Sequence, residues 1–200
     1  VNAALDLNFS DGVRALLRQD PDVIMIGEIR DLETAEMAIQ SSLTGHLVLS
    51  TLHTNSSVAT ITRLMEIGVA DYLLRSTLLG IVAQRLLRTL CPHCMKKGEI
   101  SDAVWKQLTS PVKAKKPEHV NHPVGCLECR NTGYLGRIGI YEMMRTTSTL
   151  KDMIHADVEQ RQLFETAIRE GMIPLKVSGA SKVAAGKTTA EEVLRVVSLG

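Results

Sequence analysis

Apolar positions along the first ninety residues switch between two spacings. Val23-Ile24-Met25-Ile26 is apolar at four successive positions, the pattern of a parallel strand covered on both faces. His46 to Leu52 repeats it and predicts a second buried strand. Between and around these runs the spacing becomes helical. Val13, Leu16 and Leu17 share one face of a helix that Ser10 can cap and Asp20-Pro21 ends. Asp31 caps a helix ending near Gly45, and Ser56 or Ser57 caps one closed by Gly68. A long apolar helix is expected from about Asp71 to Leu90. Alternating helices and strands predict an open α/β sheet with crossover helices.

The pattern breaks at Cys91. Up to Gly139 the chain is rich in turn residues, among them Pro92, Pro111, Pro117, Pro123, Gly125, Gly133 and Gly136. A short helix around Trp105 is the one regular piece expected there. Helical spacing returns at Leu150 and Ile154, at Leu163 and Ala167, and in a last helix from about Glu191 to Val197. The expected organisation is therefore a sheet part-domain over 1–90, a small module over 91–139 and a C-terminal helical region over 140–200.

Composition excludes several classes. The 23 basic residues nearly balance 22 acidic ones, and aromatics are only 3% of the chain. Nothing in that balance calls for nucleic acid as a partner. The longest apolar region, Tyr72 to Leu90, carries Arg75, Gln84 and Arg85, too much polarity for a bilayer span. No secretion signal opens the chain, so a cytosolic location is expected.

All four cysteines fall in two C-x-x-C pairs, Cys91/Cys94 and Cys126/Cys129, with 31 residues between the pairs. Two such knuckles present four thiolates to one tetrahedral Zn²⁺. A redox dithiol or two disulfides are the alternatives, and a reducing compartment disfavours both. A Cys₄ site leaves no open position for water, so the zinc is expected to be structural. His93 and His122 lie close by in sequence, but four thiolates already complete the set. Lys96, Lys97, Lys113, Lys115 and Lys116 cluster in the same stretch and read as a solvated basic surface.

The first strand delivers Glu28 just past its C-terminal end, where open parallel sheets bind ligands. A carboxylate so placed can hold Mg²⁺ through water or orient water attacking a γ-phosphate. Asp22 sits at the other end, roughly 20 Å away at about 3.3 Å per residue. The same reasoning selects His53, which follows the second strand, over His46, which starts it. Ser50, Thr51, Thr54 and Asn55 add polar groups beside His53. A phosphate loop needs G-x-x-x-x-G-K-[ST] between strand and helix. Ser181 to Thr188 ends in Gly186-Lys187-Thr188 but has serine at the first glycine and no strand before it. It reads as a turn and capping box opening the last helix.

Two longer segments carry a family resemblance. Leu17 to Asp31, LRQDPDVIMIGEIRD, resembles the Walker B segment of bacterial type II secretion and type IV pilus assembly ATPases, and Thr44 to Asn55, TGHLVLSTLHTN, resembles their His box. The cysteine pairs followed by Gly133-Tyr134-Leu135-Gly136-Arg137-Ile138-Gly139-Ile140-Tyr141-Glu142 resemble the zinc-bearing extension of the secretion and pilus extension groups, which retraction ATPases lack. The resemblance implies a RecA-like motor in a homo-hexamer, peripheral at the cytoplasmic side of the inner membrane, using MgATP with membrane platform proteins as partners. It assigns Glu28 as the Walker B carboxylate and His53 as a γ-phosphate-facing residue. Arg14, Arg18, Arg30 and Arg63 fall where family arginines act at subunit boundaries, with a surface ion pair an equal reading for each. The family's P-loop, Asp box and N-terminal domains are expected before Val1, so this stretch alone is not expected to hydrolyse ATP.

Within the family, the overall texture favours type II secretion over type IV pilus assembly. A zinc-stabilised module binding nucleic acid or anionic lipid is the alternative of another class, and a RecA-like helicase a third. Steep salt dependence of binding would mark the second; the scarcity of aromatics and the long secretion-type motifs argue against the third.

Overall fold

Parallel strands need a crossover between them, and the first two strands have one. In the computed structural model, which describes residues 19 and 21–198, Val23–Ile26 forms β1 and Leu47–Ser50 forms β2, joined by helix α1, Leu32–Leu43. The strands pair in parallel, Val23 with Leu47 through Ile26 with Ser50. Asp31 caps α1 by accepting a hydrogen bond from Thr34 N at 2.8 Å. Ile24 and Ile26 bury against Ala38 of α1 with Ile29 and Val48. The helix expected from Ser10, together with Arg14 and Arg18, lies outside the described residues.

By its packing the chain divides into two compact units, Val1–Ile81 with Arg145–Ala167 and Val82–Met144 with Ile168–Gly200. The first holds β1, β2 and α1, then α2 (Ser57–Glu66), capped by Ser56 Oγ accepting from Ala59 N, α3 (Asp71–Thr77) and α5 (Ser148–Met153). The expectation that both faces of β1 are covered is met on one face only. In-register pairing puts Val23, Met25, Leu47 and Leu49 on the opposite face, and all four are exposed, Met25 at 74%.

The long helix expected over 71–90 is not there. Helix α3 ends at Thr77, Leu78 takes extended angles (φ −73°, ψ 121°), and Gly80–Leu90 is strand β3. A spacing of four, as between Ala83 and Leu87, suits both a helix face and every second pair of strand positions, so an apolar run does not by itself separate the two. The burial of β3 has period two, with even positions 80 to 88 exposed. Its partner is β6, Tyr134–Arg145. That strand runs through residues expected to be irregular up to 139 and helical after it. Non-local pairing, invisible to local periodicity, overrides helix propensity here.

The second unit also contains β4 (Lys96–Gly98) antiparallel to β5 (Val120–His122), and α4 (Asp102–Thr109), the helix expected around Trp105. They share one core with the C-terminal helices α7 (Leu175–Ala184) and α8 (Ala190–Ser198): Leu87, Trp105, Leu108, Val120 and Ile140 bury with Leu175, Val183 and Val193. The cysteine-bracketed stretch thus packs into a larger body. The helix α6 (Gln160–Arg169) precedes them. Helix α8 opens as expected, Thr189 Oγ1 accepting from Glu192 N at 3.2 Å.

Glu192 then does something sequence spacing does not show. Its side chain is fully buried and accepts from Arg88 N (3.0 Å), Arg88 Nη2 (2.7 Å) and Arg195 Nη2 (2.8 Å). Burial pushes its carboxyl up, but the Arg88 and Arg195 hydrogen bonds outweigh this and pull it down to about 2. A depressed carboxyl stabilises the fold above the ordinary carboxylate range, and that stability is lost as pH falls from about 4.5 towards 2. Glu192→Gln is expected to remove this acid dependence and cost about 2–3 kcal/mol, since two arginines lose their buried partner. Urea unfolding followed by Trp105 fluorescence checks it; an unchanged midpoint would refute the role.

Candidate functional site

The register of β1 and β2 sets the site. Because Ile26 lies opposite Ser50, Glu28 and His53 emerge together beyond the C-terminal ends of the parallel pair. Ile29 N donates to Thr51 O at 3.0 Å and Thr51 Oγ1 to Gly27 O at 2.5 Å, tying the two loops that leave the strands. His53 Nε2 stands 2.9 Å from Glu28 Oε1. Arg30 approaches the other oxygen, Oε2, with Nε and Nη2 both at 2.6 Å. The Glu28 side chain is 20% exposed, against 76% for Arg30 and 89% for His53. The Arg30 hydrogen bond, then its charge and that of His53, outweigh partial burial and hold the Glu28 carboxyl below its ordinary value. The site offers an ionised carboxylate and an exposed imidazole within one hydrogen bond of each other.

The other sequence candidates lie elsewhere. Leu47 N bonds Asp22 O at the opposite strand end, and His46 Nδ1 is 2.8 Å from Ser41 O and 3.0 Å from Thr44 Oγ1. Arg63 sits on α2 and pairs with Glu66 one turn on, at 3.4 Å. Arg63 does not reach Glu28, and of the described arginines Arg30 alone joins the carboxylate. Thr54 Oγ1 is 2.8 Å from Thr60 Oγ1. Ser181 to Thr188 spans the end of α7 and the turn after it, with Thr188 Oγ1 donating to Arg88 O; no strand precedes it. The Arg30 pairing is what sequence reading missed, although a spacing of two placed both groups on one short loop.

The four cysteines converge in the second unit. Sγ atoms of Cys91 and Cys126 are 3.9 Å apart, Cys94 and Cys129 3.8 Å, Cys126 and Cys129 3.7 Å, and all four lie within 4.8 Å of one another. A tetrahedron of thiolates about 2.3 Å from a central Zn²⁺ has edges of about 3.8 Å, whereas disulfide sulfurs are about 2.0 Å apart. The donor set therefore fits a metal ion. Backbone amides point at the sulfurs: Gly125 N at Cys94 Sγ, Cys126 N and Gly133 N at Cys129 Sγ, each at 3.2 Å. Burial raises the Cys129 thiol, but those two amides and the neighbouring thiols reverse the effect to about 6. Burial dominates at Cys91, pushing it up to about 11. Arg130 and Asn131 take positive φ, 52° and 59°, to close the second knuckle, and a Cβ on Gly125 would meet Asn131 O at 2.9 Å. His122 Nε2 is 3.1 Å from Glu99 O, outside the cluster.

The fold is thus an α/β protein with a carboxylate and a histidine meeting at the C-terminal ends of a parallel pair, and with a four-thiol cluster further along the chain that could hold a metal ion. The family model described as Type II/IV secretion system protein matches residues 1–195, and the chain belongs to that family. It is 54% identical over 199 residues to the type IV pilus assembly ATPase TfpB of Acinetobacter baylyi, covering 100% of this chain and 34% of that protein. It is 47% identical over 196 residues to type II secretion system ATPase E of Vibrio cholerae, covering 98% and 38%. The chain thus spans just over a third of the length of these relatives. Among solved structures, the pilus retraction motor PilT with bound ADP superposes with TM-score 0.62 at 27% identity, covering 94% of this chain and 43% of that one. The Legionella pneumophila ATPase DotB, with TM-score 0.65 at 21% identity and coverage of 96% and 43%, shares the fold. Among the described residues no helix is long and apolar enough to cross a membrane.

Proposed function

We propose that this chain is the later part of an ATP-hydrolysing motor that drives assembly of type IV pilus subunits, working as a homo-hexamer at the cytoplasmic side of the inner membrane with membrane platform proteins. The observation that carries the ATPase reading is the 2.9 Å approach of His53 to Glu28 beyond a parallel strand pair. In it, Glu28 holds the water shell of Mg²⁺ or orients the attacking water, and His53 faces the γ-phosphate. Mg²⁺ supplies charge neutralisation at the phosphates. The phosphate-gripping loop and the layer covering Val23, Met25, Leu47 and Leu49 belong to preceding segments of the motor, so the 200 residues alone are inactive. Residues 1–90 then form the end of a RecA-like domain, 91–139 a structural-zinc insert held by Cys91, Cys94, Cys126 and Cys129, and 140–200 its C-terminal continuation. Arg14, Arg18 and Arg63 are the candidates for contacts at subunit boundaries.

Type II secretion is the second reading. Sequence texture favours it, and identities of 45–48% to seven type II secretion system proteins support it. The 54% identity to a pilus assembly ATPase favours the pilus. Deleting the gene distinguishes them. Loss of surface filaments with exoprotein secretion intact is expected; the converse would transfer the assignment to secretion.

A further inference from the structure

We propose that Arg30 is a positioning residue acting within its own subunit, anchoring Glu28 by one oxygen and leaving the other to face His53; this rests on the ATPase reading above. Both approaching nitrogens of Arg30 meet Oε2, while His53 Nε2 meets Oε1. The two oxygens are thereby made unlike. The last torsion of a glutamate is broad and roughly two-fold, so nothing in Glu28 itself decides which oxygen works. The guanidinium decides it, through a charge-assisted hydrogen bond from Nε and a close ion pair from Nη2 to a carboxylate that is largely covered. On the other side stands a single imidazole exposed enough to give way. Oε1 is then the oxygen that receives a water, and Oε2 is the fixed one.

Among the described residues this task falls to Arg30. Asp31, next along the loop, is committed to Thr34 N, and Arg63 to Glu66. Such an exposed pair adds little to stability. Its effect is on geometry, and a carboxylate turned away from its working angle costs rate rather than binding. This places Arg30 apart from arginines that reach across a subunit boundary to a phosphate, the role its family resemblance had given it.

The test uses the full-length protein. Arg30→Gln is expected to lower kcat about tenfold or more with KM for ATP changed by less than about twofold. Arg30→Lys is expected to recover part of the loss, and guanidinium ion at a non-denaturing concentration to raise turnover of Arg30→Ala. Co-assembling Glu28→Gln with Arg30→Gln subunits separates own-subunit from cross-subunit action. If Arg30 serves its own Glu28, every mixed site lacks one of the two groups and activity stays low. Restored turnover in the mixture would overturn the proposal, as would a KM effect with kcat held, or failure of both lysine and guanidinium to rescue. Glu28→Gln alone checks the underlying reading: normal turnover there would remove the ATPase assignment, whereas an inactive Glu28→Gln beside an unaffected Arg30→Gln removes only this inference.

Discussion

Glu28→Gln in the full-length protein is expected to cut ATP turnover by about a hundredfold or more while nucleotide still binds. Glutamine keeps the volume of glutamate, and its carbonyl can still accept from Arg30. Its amide, however, turns an acceptor facing His53 into a donor, and it has no charge to hold a magnesium-bound water or take up a proton. Because Arg30 and His53 hold the Glu28 carboxyl below its ordinary value, Glu28 is ionised at neutral pH. Rate loss from its protonation is expected only on the acid side of the usual carboxylate range, and that limb should vanish in Glu28→Gln. Stability should barely change, since the partners are exposed. Phosphate release and binding of a fluorescent nucleotide check both halves. Turnover near that of the unmodified protein would sink the assignment.

Why Glu28 and His53 were legible in sequence while Arg30's partner was not follows from the range of each interaction. A parallel strand is short, apolar and straight, so the residue leaving its C-terminal end is located by counting. Two adjacent parallel strands in register deliver two such residues to one place. Side-chain choice inside the loop is different: Arg30 could reach its own Glu28 or a neighbouring subunit, and residue spacing cannot separate these. The caps at Asp31, Ser56 and Thr189 were readable because they act over three residues. β3 and β6 were not, because a strand's reason for existing lies in a partner more than forty residues away.

The same limit explains the second unit. Turn residues and cysteine pairs marked 91–139 as distinct in composition, and composition reports where the chain bends. It does not report where the apolar side chains go. Trp105, Leu108 and Val120 bury with Leu175, Val183 and Val193 from α7 and α8, and Glu192 reaches Arg88 across 104 residues. Those contacts are decided by the fold as a whole.

The cysteine cluster stands at a mechanical junction, and removing its metal is expected to release that junction. Cys91 directly follows β3 and the second knuckle runs into β6, while Cys91 N donates to Gly133 O at 2.9 Å and Leu90 N to Lys187 O at 2.9 Å. An ion held by the four thiols would tie the end of one strand to the start of its partner and, through the Leu90–Lys187 hydrogen bond, to the turn before α8. Structural zinc contributes about 10–16 kcal/mol in small zinc-finger peptides, as much as the whole stability of many domains. The apolar core shared with α7 and α8 keeps part of the unit folded, so a local loss is expected. Full-length protein should carry one zinc per chain. Chelation, or Cys91→Ser with Cys126→Ser, should lower hydrogen-exchange protection over residues 91–139 by about a hundredfold or more, while protection of β1 and β2 holds. Because metal binding displaces protons from the thiols, zinc should be held less tightly as pH falls. Protection over 91–139 that survives complete metal removal would show that the core alone suffices, and the four sulfurs would then need another explanation.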